Sequence, residues 1–354
     1  MAQWAIAGSA AISLLMPTGL ARGPAAPPIP AAKLLGQRIM VGLPGTRADA
    51  ALLHRIRRGY VGAVILFSYN VSSRAQVTSL TASLQRAARQ GHNPPLLIAV
   101  DQEGGQVKRL PDGPPSLSPP QIAATGSVAV AARQGHATGT FLRQLGINMD
   151  LAPVVDVPTS SAAFIWRQGR AFSFQAGAVA RCAGAFARGL QQARVAATAK
   201  HFPGLGSARV DTDNGFDRLR PSPGQLAAAL TPYRALIPSG LDAVMVTTAA
   251  FPAYDPSAAP AAFSSQVSQT LLRGRLGFSG VSITDALGVP TGHGERDAGV
   301  LAAEAGNDVL LYTDSAPGEL SALESALATG RLTRPAALAS YRRIVALKQR
   351  LQPA

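Results

Sequence analysis

The side chains of this sequence best placed to do chemistry are carboxylates and cations that close short apolar runs. Asp101 ends the run Leu96–Asp101, Asp156 lies near the end of Ile147–Val157, Lys200 and His201 end Ala196–His201, Thr247 and Thr248 end Ala243–Thr248, and Asp285 ends Val281–Asp285. In the segment Ile98-Ala-Val-Asp-Gln-Glu-Gly-Gly105, continued by Gln106-Val-Lys-Arg109, an acid at a strand end precedes a tight glycine turn and a guanidinium. An aspartate so placed can accept paired hydrogen bonds from vicinal sugar hydroxyls, and Arg109 adds a fork of donors. A second segment, Lys200-His201-Phe202-Pro203-Gly204-Leu205-Gly206, runs on to Asp211-Thr212-Asp213. Its proline and glycine content makes a loop that carries two carboxylates past a basic pair. The third, Gly280-Val-Ser-Ile-Thr-Asp285-Ala-Leu-Gly288, is a buried strand ending in a carboxylate among small neighbours. Charged strand ends also make structural ion pairs beneath loops, so position alone leaves each role open.

Short apolar, β-rich runs alternate along the chain with longer stretches of helical period, as parallel βα units require. Eight such runs occur: Ile39–Leu43, Ala63–Phe67, Leu96–Asp101, Ile147–Val157, Ala196–His201, Ala243–Thr248, Val281–Asp285 and Asp308–Thr313. Helices are expected at Ser73–Gln90, Val128–Leu145, Ala176–Ala193, Pro223–Leu236, Gly299–Ala305, Glu319–Ala328 and Pro335–Leu351. Eight strand–helix units predict an α/β fold, a single (β/α)8 TIM barrel, whose chemistry sits at the C-terminal ends of the strands. A doubly wound open sheet is the structural alternative, but no glycine fingerprint follows the first strand to support it. Neither a fixed-period repeat nor a second domain is expected.

Of 354 residues, 47% are hydrophobic and 35 are glycine, a composition that supports a sizeable core. Lys and Arg number 33 against 19 Asp and Glu, a formal charge of +14 that favours anionic surroundings. Aromatic residues make up only 5% and no basic run is interleaved with them, which argues against a nucleic-acid partner. Cys182 is the only cysteine, so neither an intrachain disulfide nor a two-cysteine metal site can form. From Ala2 to Met16 the chain is uncharged, and the apolar run is followed by Pro17 and a Gly19-Leu20-Ala21 triplet that suits signal peptidase. Residues 1–21 are therefore expected to be a signal peptide, 22–34 a Pro/Ala-rich linker and 35–354 the barrel. A secreted, periplasmic or wall-associated location follows, without stable membrane insertion after cleavage, since the run is too short to span a bilayer. The alternative for this run is a buried N-terminal helix.

Taken together, these segments resemble the barrel domain of glycoside hydrolase family 3, in particular its bacterial β-N-acetylglucosaminidase branch. The resemblance covers Leu35 to Leu351, with family-like stretches at Gly36-Gln-Arg-Ile-Met-Val-Gly42, Ala63-Val-Ile-Leu-Phe67, Leu145-Gly-Ile-Asn148 with Ala152-Pro-Val-Val-Asp156, and Gly169-Arg-Ala-Phe172. The ordered joint occurrence of Asp-Gln-Glu-Gly-Gly and Lys-His-Phe-Pro-Gly makes it specific. It implies that Asp101, Arg109, Arg170, Lys200 and His201 hold the sugar where cleavage occurs, that Asp285 is the nucleophile, and that neither metal nor cofactor takes part. Asp156 is read as structural, a strand-end acid capping neighbouring amides. The implied activity is retaining, exo-acting hydrolysis of terminal β-linked N-acetylglucosamine or glucose, in wall-derived glycans such as peptidoglycan fragments or in plant-derived ones, through a covalent intermediate on Asp285.

The chain departs from that family's pattern in three places. Where the glucosaminidase branch carries a histidine as general acid/base, ungapped spacing from Lys200 puts Asp213, with Asp211 as its rival. A carboxylic acid can do that work if burial or a neighbouring acid raises its pKa. Ala286 stands where an acidic or polar residue is usual, and Thr247 and Thr248 stand where a histidine commonly follows strand six. His293, on the loop after Asp285, is the other histidine expected within range of the site. The competing reading is a sugar-binding pseudoenzyme that keeps Asp101, Arg109, Lys200 and His201 for ligand contact but lacks proton transfer.

Overall fold

Each of the eight apolar runs supplies one strand in the computed structural model, which describes residues 1, 28–313 and 318–352. The strands are β1 (Ile39–Val41), β2 (Ala63–Leu66), β3 (Leu97–Val100), β4 (Met149–Asp150), β5 (Ala196–Phe202), β6 (Ala243–Val246), β7 (Val281–Thr284) and β8 (Leu310–Tyr312). They pair in parallel with β8 beside β1 and then in chain order to β7. The two edges meet at the parallel bridge between Ile283 and Val309, where the Thr284 amide donates to the Val309 carbonyl at 3.0 Å. The result is a (β/α)8 barrel. β4 is shorter than its run because Pro153 has no amide hydrogen for the ladder; Val155 still donates to the Lys200 carbonyl at 2.7 Å.

Side chains alternate along a strand. Met40, Ile65, Ala99, Met149, Met245 and Ile283 fill the barrel interior, while Ile39, Val64, Ile98, Val100, Ala197 and Val244 pack against the helices. One further step of two along the inward series gives Asp101 on β3, Lys200 on β5 and Asp285 on β7. The period that buries the core therefore aims these three side chains into the barrel mouth.

The expected helices form within a few residues of their forecast ends, with Ser73, Ser127, Ser222 and Thr333 accepting from amides of the first turn. The helix after β7 runs Glu295–Glu304, starting earlier than expected. Helix Ala50–Arg58 was not legible, as only Leu52 and Ile56 of its nine residues are buried. Residues Gln266–Arg275 form a π-helix that the periodicity did not reveal. The linker expected at 22–34 is also corrected in its last part: Ala31–Gly36 is a helix whose Leu34 and Leu35 are fully buried, so the packed fold begins before residue 35. The expected signal peptide and the rest of the linker to residue 27 lie outside the described residues.

The last helix, Arg334–Arg350, closes the end of the barrel opposite the mouth, where Ile344, Leu347 and Leu351 join the interior cluster. Lys348 on this helix donates to the Gln37 side chain at 2.6 Å and the Gly62 carbonyl at 2.7 Å. Among the described residues no helix is long and apolar enough to cross a membrane.

Candidate active site

Asp101, Arg109, Arg170, Lys200, His201, Asp211, Asp213 and Asp285 all line one cavity of about 280 Å³ at the C-terminal ends of the strands. That size suits one sugar ring better than an oligosaccharide, ligand pockets commonly running from roughly 300 to 1,000 Å³. Phe67, Gln106, Phe164, Gln168, Met245 and Ala286 complete most of the wall.

The Asp-Gln-Glu-Gly-Gly segment turns back on itself as a small hairpin, Gln102–Gly104 pairing antiparallel with Val107–Lys108. Gly104 and Gly105 have φ of 96° and 62°, a region open to glycine at little cost. Gln102 pins the following loop by donating to the Leu110 and Pro114 carbonyls and accepting from the Leu110 amide. Asp101 accepts from the Lys200 ammonium at 2.6 Å, and the Arg109 guanidinium lies 3.7 Å from its other oxygen.

Glu103, which sequence reasoning quoted without assigning a role, is the hinge of the charge network. Its buried carboxylate takes two hydrogen bonds from Arg170, both 2.8 Å, and one ion pair from Lys200 at 2.7 Å. Burial alone would raise its pKa, but Arg170 and Lys200 outweigh it and hold the carboxyl at about 2. The signal was available, since Glu103 sits two residues beyond Asp101 on the same alternation. Glu103→Gln is expected to cost roughly 3 kcal/mol of stability at neutral pH, because it leaves Arg170 buried without its counter-charge. A group whose pKa is depressed on folding adds stability above its unfolded pKa and loses it as pH falls through the folded value. The deficit of the variant in urea titrations should therefore shrink between about pH 4.5 and 2; a deficit independent of pH would refute the ionic account.

Asp156 behaves as its structural reading expects. One oxygen accepts from the Leu205 amide at 2.7 Å and the His201 amide at 3.3 Å, and the other lies 2.7 Å from His201 Nδ1. The carboxylate at Nδ1 orients the ring so that Nε2 faces the cavity, 3.4 Å from Arg170. Gly206 then brings the acid-bearing loop against the preceding one: a Cβ at that position would lie 1.8 Å from the Val157 carbonyl oxygen.

The two loop acids are not equivalent. Asp211 accepts from the Gln168 amide group at 2.8 Å and from the Asp213 backbone amide at 3.1 Å, so it shapes the loop. Asp213 lies at the solvent-accessible mouth, and its carboxyl has no hydrogen-bond partner among the described residues. Partial burial, then the like charges of Asp285 and Asp211, raise it to about 6, against the opposing pull of His201 and Arg170. Asp285 is 8% exposed. Its amide donates to the Val246 carbonyl at 2.8 Å, and one carboxylate oxygen accepts from the Ala286 amide at 2.9 Å. No cation pairs with it among the described residues. A buried carboxylate with a free oxygen therefore faces an acid with a raised pKa across one cavity.

Three other expected neighbours are not brought in. Thr247 accepts from the Ala249 amide and turns the chain after β6, and neither it nor Thr248 lines the cavity. His293 packs edge-on against Phe263, ring centroids 5.8 Å apart, also outside the lining. Gln168, by contrast, was missed: it bridges Arg170 and Asp211.

The sequence profile of the glycosyl hydrolase family 3 N-terminal domain matches residues 33–347. The chain belongs to glycosyl hydrolase family 3. An uncharacterized secreted glycosyl hydrolase of Arthroderma benhamiae is 34% identical over 334 residues, covering 89% of this chain and 92% of that protein. A beta-hexosaminidase of Stenotrophomonas maltophilia is 37% identical over 290 residues, 77% of this chain and 82% of the relative. The structure of a family 3 β-N-acetylglucosaminidase from Paenibacillus superposes with a TM-score of 0.86 at 36% identity, covering 92% of this chain but 63% of the longer Paenibacillus one. A β-N-acetylhexosaminidase from Beutenbergia cavernae gives 0.82 at 30% identity, covering 91% and 99%. This family 3 protein is a glycosidase, and the cavity at its barrel mouth is the candidate active site.

Proposed function

We propose that this family 3 glycosidase is an exo-acting, retaining β-N-acetylhexosaminidase in which Asp285 is the nucleophile and Asp213 the general acid/base. The observation that carries the reading is the pairing of an uncompensated Asp285 carboxylate with the raised carboxyl of Asp213 over one sugar-sized cavity. In the first step the Asp285 oxygen bonds to the anomeric carbon as the glycosidic bond breaks, and the Asp213 proton passes to the departing oxygen. In the second, Asp213 takes a proton from water, the water oxygen bonds to the anomeric carbon, and the ester to Asp285 is released. Asp101, Lys200, Arg109, Arg170 and His201 hold the hydroxyls of the terminal sugar. The names of the Stenotrophomonas, Paenibacillus and Beutenbergia relatives support an N-acetylhexosaminide as the substrate, including wall-derived glycans.

A panel of nitrophenyl β-glycosides tests this. We expect kcat/KM for the N-acetyl-β-glucosaminide to exceed that for the β-glucoside by about 10²-fold, the scale of discrimination a pocket achieves when one substituent fits it and its replacement does not. Preference for the glucoside would move the chain to the other specificity, and no turnover of any activated glycoside would leave the sugar-binding pseudoenzyme.

Export belongs to the same proposal, supported by the uncharged apolar stretch 2–16 and by the secreted Arthroderma relative. N-terminal sequencing of exported protein should begin near Arg22; cytoplasmic material that starts at Met1 would refute it.

A further inference from the structure

Because all eight strands are parallel, each outer helix carries the chain back from the mouth, and its C-terminal end lies at the opposite end of the barrel. Arginines gather there. Arg57 and Arg58 stand in the last turn of Ala50–Arg58, Arg89 and Arg143 in the last turns of Arg74–Gln90 and Val128–Gln144, and Arg275 ends Gln266–Arg275. Arg194 follows the helix Ala176–Gln192. All are exposed except Arg143, which is half-buried. A cation at a helix C-terminus is favoured by the helix dipole, which accounts for single residues of this kind. It does not account for two further facts. Arg143 has its pKa lowered by burial and by the positive charge of Arg194, so two guanidiniums crowd together. The carboxylates of this end are each already held by arginine: Asp242 by Arg350, Asp308 by Arg273 and Arg343, and Glu304 by Arg331.

The chain also enters the fold here. Gly36, at the end of the first helix, packs against the backbone of Gly59 and Tyr60, and β1 starts at this end. From Pro28 on, the folded chain therefore reaches the barrel at the end that carries the arginines.

We infer that the barrel end opposite the active site docks on an anionic lipid bilayer surface, with the catalytic mouth turned toward soluble glycan. Arginines spread over the end of a barrel suit a planar array of headgroups, whereas a nucleic acid would call for a groove with stacking side chains. The attraction is screened beyond about 10 Å at 0.1 M salt, so retention should be strong at low ionic strength and weak at high.

The test is flotation of the full chain with vesicles of about three parts phosphatidylcholine to one part phosphatidylglycerol, against phosphatidylcholine alone. The wild type should float with the mixed vesicles only. Changing Arg57, Arg89 and Arg194 together to glutamine should weaken binding to them by about 10²-fold, and the triple variant Arg57→Glu, Arg89→Glu, Arg194→Glu should bind them more weakly still. A charge-matched control, Arg133→Glu, Arg181→Glu, Arg220→Glu, lies toward the mouth and should retain binding. Turnover of an aryl glycoside in solution is followed in parallel, and unchanged turnover in the triple variant separates this inference from the glycosidase assignment. Equal loss in the control, no binding by the wild type, or retention on an anionic wall polymer or duplex nucleic acid in place of vesicles would each overturn it.

Discussion

Asp285→Ala is expected to lower turnover of every substrate by about 10⁴-fold or more while leaving the barrel folded. The side chain makes one hydrogen bond, to the Ala286 amide, and no ion pair among the described residues, so its loss should cost only about 1 kcal/mol of stability. A nucleophile contributes to the chemical step, and the other cavity acids are otherwise engaged: Asp211 is committed to Gln168, Asp101 to Lys200, and Asp213, raised to about 6, is the proton donor of the proposed mechanism. The wild type treated with a slow-release 2-fluoro sugar should carry the label on Asp285, located by peptide mass, with far-UV circular dichroism of the variant unchanged. A label on another residue, or an active alanine variant, would remove Asp285 from the mechanism. The same substitution has a second readout. The Asp285 charge helps to raise Asp213, so in Asp285→Ala the Asp213 carboxyl should titrate lower than in the wild type.

Asp213→Asn should slow substrates with poor leaving groups by about 10²–10⁴-fold and spare the glycosylation step for activated aryl glycosides, which need little protonation. Added azide should then restore the second step, because it attacks the intermediate without needing a base. The sign of the pH dependence follows from the raised carboxyl. Asp213 must be protonated to act as the acid, so kcat/KM for poor leaving groups should fall as pH rises through about 6. That limb should vanish in the asparagine variant. If Asp211→Asn gives the azide and leaving-group signature instead, the roles of the two acids exchange; if neither variant matters, the carboxylate mechanism fails.

Much of this site was legible because strand alternation and parallel topology are simple rules. Asp101, Lys200 and Asp285 could be placed at the mouth from the apolar runs that precede them, and the structure puts all three in one cavity. Side chains whose role depends on partners brought in by loops were harder. Glu103 lies on a hairpin whose fold depends on two glycines with positive φ, and its importance comes from Arg170 and Lys200, distant in sequence. Thr247 and His293 failed as neighbours for a related reason: both lie beyond a strand end, where local turns and Phe263, rather than strand period, set direction. Ala50–Arg58 and the π-helix Gln266–Arg275 were missed because both are short, the first burying only Leu52 and Ile56 among its nine residues and the second winding its ten residues in a wider turn.

Glu103 joins Lys200 of β5 to Arg170 of the loop after β4, and Lys200 in turn holds Asp101 of β3. Residues in one such network do not vary independently, and substitutions within it are expected to be strongly non-additive. A lineage carrying this barrel cannot drift toward a new terminal sugar by exchanging one of these four side chains, since each exchange strands a buried charge. The evolvable positions of the pocket are those that touch ligand space without entering the network, Phe67, Gln106 and Phe164. Divergence of specificity within such a scaffold should therefore be written on the rim, while the floor changes only as a block.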